Sequence, residues 1–261
     1  MCKKIVFFDI DGTIYDYKRG IPKDIPGSIE KLRSNGILTA ICTGRTRVMI
    51  FDKIYDLGFD ALVAGGGTFV EYDGKILIDK QLDMEVTDEV ISSMKENGFI
   101  PVPEGTKNIY FDMSLEGAET DSFVNLYRSE IAKSVMNIEK GKVVANKVSG
   151  RFTPKSNLEP MYEKLKDRFT FVNHNSRLIE LIPKGFSKAT GIELLINELG
   201  IKREDTYAFG DSFNDFEMLK YVEHGIAVGN ADPELKKHIK KHTGDIFENG
   251  ITDSLKELGL I

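Results

Sequence analysis

The residues of this chain that could do chemistry stand at the ends of apolar runs. In "FFDIDGTIYD", residues 7–16, Asp9 and Asp11 lie one residue apart at the close of such a run, followed by Gly-Thr. Thr43 closes the run "ILTAIC", and Asp211 closes "TYAFG". Any one of these alone would be ordinary loop-capping polarity, but together they form a constellation. Ligands of open parallel sheets bind outside the carboxyl ends of the strands, where all four residues are expected. Residues i and i+2 of a strand point to the same side, so the Asp9 and Asp11 carboxylates are expected to face one pocket. Gly12 then lets the chain leave in a conformation that a Cβ would hinder.

The elements needed to hold these positions alternate along the chain. "KKIVFFD" reads as a short buried strand, and "IPGSIEKLRSNG" has helical spacing through Ile29 and Leu32, with Pro26 near its start and Gly36 as its stop. "ILTAICT" reads as a second strand, "TRVMIFDKIYDLG" as a helix closed by Gly58, and "ALVAGG" as a third strand. Continuous apolar strands alternating with helices imply a parallel sheet covered on both faces. "AGGGTF" at 64–69 reads as a tight strand exit, and "TFVEYDGKILIDKQL" as a hairpin turning at Asp73-Gly74.

Between Met84 and Pro183 the pattern changes. Helices "VTDEVISSMKENG", "DSFVNLYRSEIAKS" and "LEPMYEKLKDR" are set among strands "FIPVP", "NIYFDM", "KVVANKVSGRFT", "FTFVN" and "LIELIP", which suggests an α+β unit with an open sheet. The first pattern then returns through "KATGIELLINELG", "TYAFGD", "NDFEMLKYV", "GIAVGN", "DPELKKHIKK" and "ITDSLKELG". The expected fold is α/β: a discontinuous parallel-sheet core over 1–82 and 184–261, interrupted by an inserted domain at 83–183.

Bulk properties narrow the partners. A chain of 261 residues, 41% apolar and 29% charged, is that of an ordinary globular protein. Its net charge of −6 argues against nucleic acid, because affinity for a phosphate backbone needs clustered Lys and Arg. Lys236, Lys237, Lys240 and Lys241 lie beside Glu234 and Asp245 and read as a solvated helix face. No apolar segment approaches the roughly 18 residues of a membrane span, and the N-terminal run is too brief for a signal. A cytoplasmic location without a membrane partner is expected. Cys2 and Cys42 make no disulfide framework, and Cys42 reads as a small buried hydrophobe.

Rival motifs fail. A calcium EF-hand loop would need glycine at Ile14 and glutamate at Gly20. No P-loop, G-x-G-x-x-G, G-x-S-x-G or H-E-x-x-H sequence is present. His174, His224, His238 and His242 are scattered and read as surface or structural residues.

"DIDGT" at 9–13, "TGR" at 43–45, the lysine of "GFSKATGI" at 185–192 and "GDSFND" at 210–215 resemble the four ordered motifs of the haloacid dehalogenase superfamily. Their spacing, with a long insertion between the second and third, is similar to that of Cof-like phosphatases with a type-IIB cap. The resemblance covers essentially the whole chain and implies a Rossmann-like core. One departure is that "GGGTF" stands where relatives usually carry Asn-Gly-Ala after the third strand.

The resemblance implies a Mg2+-dependent phosphomonoester hydrolase acting through an aspartyl-phosphate. Asp9 would be the nucleophile, and Asp11 the acid toward the leaving alcohol and then the base toward water. A carboxylate nearing a phosphate dianion at ~4 Å is repelled by roughly 8 kcal/mol at an effective dielectric near 20, so countercharge is mandatory. Mg2+ would be held by the Asp9 carboxylate, the Asp11 backbone carbonyl and Asp211. Lys188 would neutralise phosphoryl oxygens; Thr43, the Gly44, Ile10 and Asp11 amides and the Asn214 side chain would bind the transferred group. Asp215 would orient metal-bound water or Lys188. Arg45 would either brace the second motif through an ion pair or touch substrate.

The implied substrate is a small phosphorylated metabolite such as a sugar phosphate, with the insertion as a lid. Lys107, Asn108, Arg151 and Lys155 are polar candidates there, each expected as solvated surface. A phosphotransferase or phosphomutase would use the same Asp9 chemistry, and a non-catalytic phosphometabolite sensor would only bind. Oligomeric state is not legible in the sequence.

Overall fold

The computed structural model describes residues 4–115, 117, 121–174 and 177–261, so that Cys2 lies outside the described residues. The chain divides into two compact units. One takes the chain up to Gly44, then Lys53–Leu77 and Ser187–Ile261; the other comprises Arg45–Asp52 and Ile78–Phe186.

The strands run in chain order as β1 (Ile5–Phe8), β2 (Leu38–Cys42), β3 (Ala61–Ala64), β4 (Phe69–Tyr72) and β5 (Lys75–Asp79). In the second unit follow β6 (Ile100–Glu104), β7 (Ile109–Phe111), β8 (Val135–Asn137), β9 (Lys147–Arg151), β10 (Phe169–His174) and β11 (Leu178–Pro183). The chain then returns through β12 (Thr206–Gly210), β13 (His224–Ala227) and β14 (Lys241–His242). The helices are α1 (Ile25–Ser34), α2 (Asp52–Tyr55), α3 (Met84–Glu96), α4 (Ser122–Ile131), α5 (Leu158–Leu165), α6 (Lys188–Leu199), α7 (Phe216–Tyr221), α8 (Pro233–His238) and α9 (Gly250–Glu257).

The first unit is built on a sheet in the order β14-β13-β12-β1-β2-β3-β4-β5. From β14 to β3 every pairing is parallel, and β4 turns back antiparallel on β3. β1 is central, with Phe7 paired to Ala208 on one side and Ala40 on the other. All four of its residues are buried, as continuous apolar strands in a doubly covered sheet must be. The sequence expectation of a parallel α/β core is met. So is the hairpin, whose turn places Asp73 at φ 47° and Gly74 at φ 73°.

The second unit carries a sheet in the order β10-β11-β9-β6-β7-β8. Val148, Ile179 and Leu181 of that sheet bury one face with Val90 and Met94 of α3 and with Met161 and Leu165 of α5. Alternate residues point to the opposite face. There Lys147, 1% exposed, lies with its Nζ 2.6 Å from Glu180 Oε1 and 3.3 Å from Glu104 Oε2.

Several local expectations need correction. The helix expected from "TRVMIFDKIYDLG" is a 3-10 turn at Arg47–Met49 and a single turn at α2. Ile50 between them is extended, with φ −84° and ψ 119°, because "VMIF" is a continuous apolar run rather than one with helical spacing. "KVVANKVSGRFT" pairs only over β9. The basic stretch is not one helix face, since α8 ends at His238 and Lys241 lies in the edge strand β14.

Candidate active site

Three parallel strands stop at equivalent heights, and the residue that follows each is polar. Asp9 follows β1, Thr43 follows β2 and Asp211 follows β12. The Asp9 N–H donates to the Phe209 carbonyl at 3.0 Å, and the Thr43 N–H donates to the Val63 carbonyl at 2.9 Å. Beyond Asp9 the strand does not continue. The Ile10 carbonyl accepts from the amides of Thr13, Ile14 and Tyr15 at 3.2, 3.0 and 2.9 Å, so the chain curls at once. Strand alternation therefore does not orient Asp11, whose backbone instead bridges to Tyr15. Gly12 takes φ +80° in this turn.

Lys188 is the first residue of α6 and is 4% exposed. Its Nζ lies 2.7 Å from Asp9 Oδ1 and 2.5 Å from Asp215 Oδ1. Asp215 is fully buried, and its other oxygen accepts the amides of Asp211 at 2.9 Å and Ser212 at 3.2 Å. A single carboxylate thus fixes the lysine and the loop that carries Asp211. The Asn214 Oδ1 accepts the Ser212 hydroxyl at 2.7 Å. Ile10 and Thr43 are buried and Gly44 is half-buried.

Asp9, Asp211 and Asp215 each offer one oxygen, all within 4.8 Å of one another. Asp211 Oδ1 is buried and accepts no hydrogen bond from the described residues. Burial, then repulsion from Asp215, raises the Asp9 carboxyl well above its ordinary range. The same two causes push Asp211 up to about 7. Burial opposes the charge on Lys188, but Asp215 and Asp9 outweigh it and hold the ammonium well above its usual value. One ammonium among three carboxylates leaves negative charge uncompensated. An all-oxygen donor set with an orphaned buried oxygen fits a hard divalent cation such as Mg2+. The third carboxylate of this cluster is Asp215, which the sequence motif placed outside the metal site.

Arg45 falls in the second unit. Its Nη1 donates to the Met49 carbonyl at 2.9 Å, and its guanidinium lies over the Phe51 ring at 4.6 Å. Of the polar candidates in that unit, Lys107 and Lys155 are exposed and Asn108 half-buried. Arg151 is not plain solvated surface, because Nη1 pairs with Asp121 at 2.8 Å and the guanidinium stacks over Phe123 at 5.2 Å.

Sequence reading missed the loop after β13. The Asn230 Nδ2 donates to the Gly12 carbonyl at 2.7 Å, and the Asp232 N–H donates to the Asp211 carbonyl at 2.7 Å. This loop joins the turn after β1 to the loop after β12. The rule that selects Asp9 and Asp211, polar residues at the carboxyl end of an apolar run, applies equally to "AVGNAD".

Comparison with known proteins places these features in a family. YkrA of Bacillus subtilis (strain 168) is 28% identical over 261 residues, covering all of both chains. The 5-amino-6-(5-phospho-D-ribitylamino)uracil phosphatase YwtE of the same organism is 26% identical over 294 residues, covering 98% of each. The solved structure of the HAD subclass IIB sugar phosphatase BT4131 matches with a TM-score of 0.81 at 22% identity, covering 99% of this chain and 100% of that one, which shows a shared fold. The haloacid dehalogenase-like hydrolase model matches residues 6–255, and the chain belongs to that family.

Proposed function

We propose that this hydrolase is a Mg2+-dependent phosphatase of small phosphorylated metabolites that works through an aspartyl-phosphate on Asp9. The observation that carries the reading is the meeting of Asp9, Asp211 and Asp215 around Lys188 at the carboxyl ends of β1 and β12. Supporting it is the similarity to a 5-amino-6-(5-phospho-D-ribitylamino)uracil phosphatase and to a sugar phosphatase.

Asp9 and Asp211 would hold the cation, joined by the Asp11 carbonyl. Bound there, Mg2+ supplies positive charge that offsets carboxylate–phosphate repulsion and polarises the phosphoryl oxygens. The Asp9 carboxylate attacks phosphorus as the bond to the leaving oxygen breaks. Asp11 gives its proton to that oxygen, and the alcohol departs. Asp11, now a base, takes a proton from water, whose oxygen attacks phosphorus and displaces the Asp9 carboxylate, releasing inorganic phosphate. Lys188 neutralises phosphoryl charge throughout, held in place by Asp215. Thr43, the Gly44, Ile10 and Asp11 amides and Asn214 supply hydrogen bonds to the transferred group. Arg45 braces the segment after Thr43 through Met49 and Phe51.

The test is phosphate release from p-nitrophenyl phosphate and a panel of sugar phosphates, with Mg2+ and with EDTA, beside Asp9→Asn. Metal-dependent release abolished by the substitution is expected. Persistent turnover in Asp9→Asn would remove Asp9 as nucleophile; an isomeric ester in place of free phosphate would make the protein a mutase.

A further inference from the structure

We propose that the glycine turn after β3 is the seat of Lys188, with Gly67 as a positioning residue. The proposal rests on the reading of Lys188 as the cation that faces the phosphoryl group.

Gly65, Gly66 and Gly67 have φ of 60°, 63° and 91°, a run of left-handed backbone that side chains resist. The Gly66 N–H donates to the Thr43 carbonyl at 3.1 Å, and the Thr68 hydroxyl donates to the Gly65 carbonyl at 3.0 Å. The turn is thereby fixed to the residue that closes β2. Its other side lies directly on the backbone that precedes Lys188. A Cβ at Gly67 would stand 2.1 Å from the Ser187 carbonyl oxygen, 2.9 Å from its carbon and 3.2 Å from the Ser187 nitrogen. One turn along α6, a Cβ at Gly191 would stand 2.5 Å from Val63 Cγ1 and 3.0 Å from the Gly67 Cα. Two glycines in contact let the first turn of α6 rest on the end of β3.

The start of α6 is held from two further directions. Ser187 caps it, its hydroxyl accepting from the Thr190 N–H at 3.3 Å while its own N–H donates to Thr190 Oγ1 at 2.9 Å. The buried Cys42 thiol donates to the Lys188 carbonyl at 3.9 Å. The Lys188 stem is buried at 4% exposure and has little room to take another path, so the place of its ammonium, held between Asp9 and Asp215, follows the place of its Cα. A displacement of the size that a methyl group at Gly67 demands would break the pairing of Nζ with Asp9 and Asp215. The glycine run is therefore more than a strand exit: it couples the residue after β2 to the lysine of α6.

The experiment compares Gly67→Ala with Gly200→Ala. Gly200 ends the same helix at φ +64° with no atom of the described residues within 4 Å of a Cβ, so it carries backbone strain without the contact. Two quantities are read: kcat and KM on p-nitrophenyl phosphate with Mg2+, and the rate at which an amine-acetylating reagent modifies Lys188 in metal-free protein, followed by mass spectrometry. In Gly67→Ala, kcat is expected to fall about 100-fold with KM little changed, as for a misplaced catalytic group. Lys188 acetylation is expected to rise about tenfold as its carboxylate partners are lost. Gly200→Ala should match the wild type in both. Wild-type acetylation in folded Gly67→Ala, or equal changes in the two variants, would overturn the proposal. Acetylation needs no turnover, so it reads the seat even if the protein proves not to hydrolyse phosphate esters. Should Gly67→Ala not fold, Gly191→Ala presses the same contact from the helix side, and partial rescue by adding Val63→Ala is expected; its absence would count against the seat.

Discussion

The Asp211 carboxylate lies against Gly12 so closely that a Cβ on the glycine would stand 2.3 Å from Oδ2 and 2.6 Å from Cγ. The turn after β1 and the loop after β12 therefore share one space, and a glycine is what lets the carboxylate occupy it. Gly12→Ala should displace Asp211 and weaken Mg2+ binding by about tenfold or more. Left-handed strain of roughly 1–2 kcal/mol comes with it. Gly20→Ala separates the two effects, having φ +79° and no atom of the described residues within 4 Å of its Cβ. Calorimetric Mg2+ titration of both variants should show the loss of affinity in Gly12→Ala alone.

Mg2+ binding should weaken as pH falls. With Asp211 raised to about 7 and Asp9 also raised, protons compete with the cation. Apparent affinity should drop about tenfold per pH unit below 7 where one proton is displaced. The sign for stability follows from the same shift. A carboxyl whose folded pKa lies above its unfolded value binds the proton more tightly in the folded state, so metal-free protein loses stability as pH rises from about 4 through 7. Thermal melts in EDTA and in Mg2+ should diverge with rising pH; parallel melts would argue against these carboxylates as the cation site.

Asp215→Asn should keep the fold and lose turnover. An amide oxygen can still accept from Asp211 and Ser212, but of the two charges opposite Lys188 only Asp9 is left to hold the ammonium. A fall in kcat of about 100-fold is expected, with the thermal midpoint close to wild type.

The buried Lys147 of the second unit offers a test independent of catalysis. Lys147→Met leaves Glu104 and Glu180 without their cation and should destabilise by about 3–5 kcal/mol at neutral pH. Because unpaired buried carboxylates can be neutralised by protonation, the deficit should shrink on acidification. In the wild type the trend at Glu180 is opposite. Although burial opposes it, Lys147 holds that carboxyl down at about 2, so its contribution is full above roughly 4.5 and lost as pH falls toward 2. Urea unfolding of both proteins across that range reads the difference.

Much of the first unit was legible because its strands are continuous apolar runs that stop abruptly. The ends of β1, β2 and β12 could be placed from Asp9, Thr43 and Asp211 alone. Lys188 was legible only through its order among the motifs, since nothing local distinguishes it from a surface lysine. The partners of Asp215 and Gly67 were not legible, because burial and close approach join residues far apart in sequence. β14 escaped notice because a two-residue edge strand of Lys and His carries no apolar pattern. The segment after Thr43 differs from the expected helix because Met49, Ile50 and Phe51 form a continuous apolar run that is buried in an irregular stretch, without helical spacing.

The place of β1 between β2 and β12 has a consequence for how the protein is made. During synthesis β1 emerges well before its neighbour β12, which follows only after the whole of Ile78–Phe186 has left the ribosome. That intervening stretch holds both edges of its own sheet, so it can fold while the nascent chain is still growing. The central strand of the other unit must wait with one edge unpaired, and closing so long a loop makes that pairing slow. Asp9 meets Lys188, Asp211 and Asp215 only at this last step, so a nascent chain that has not yet reached Asp215 cannot assemble the site.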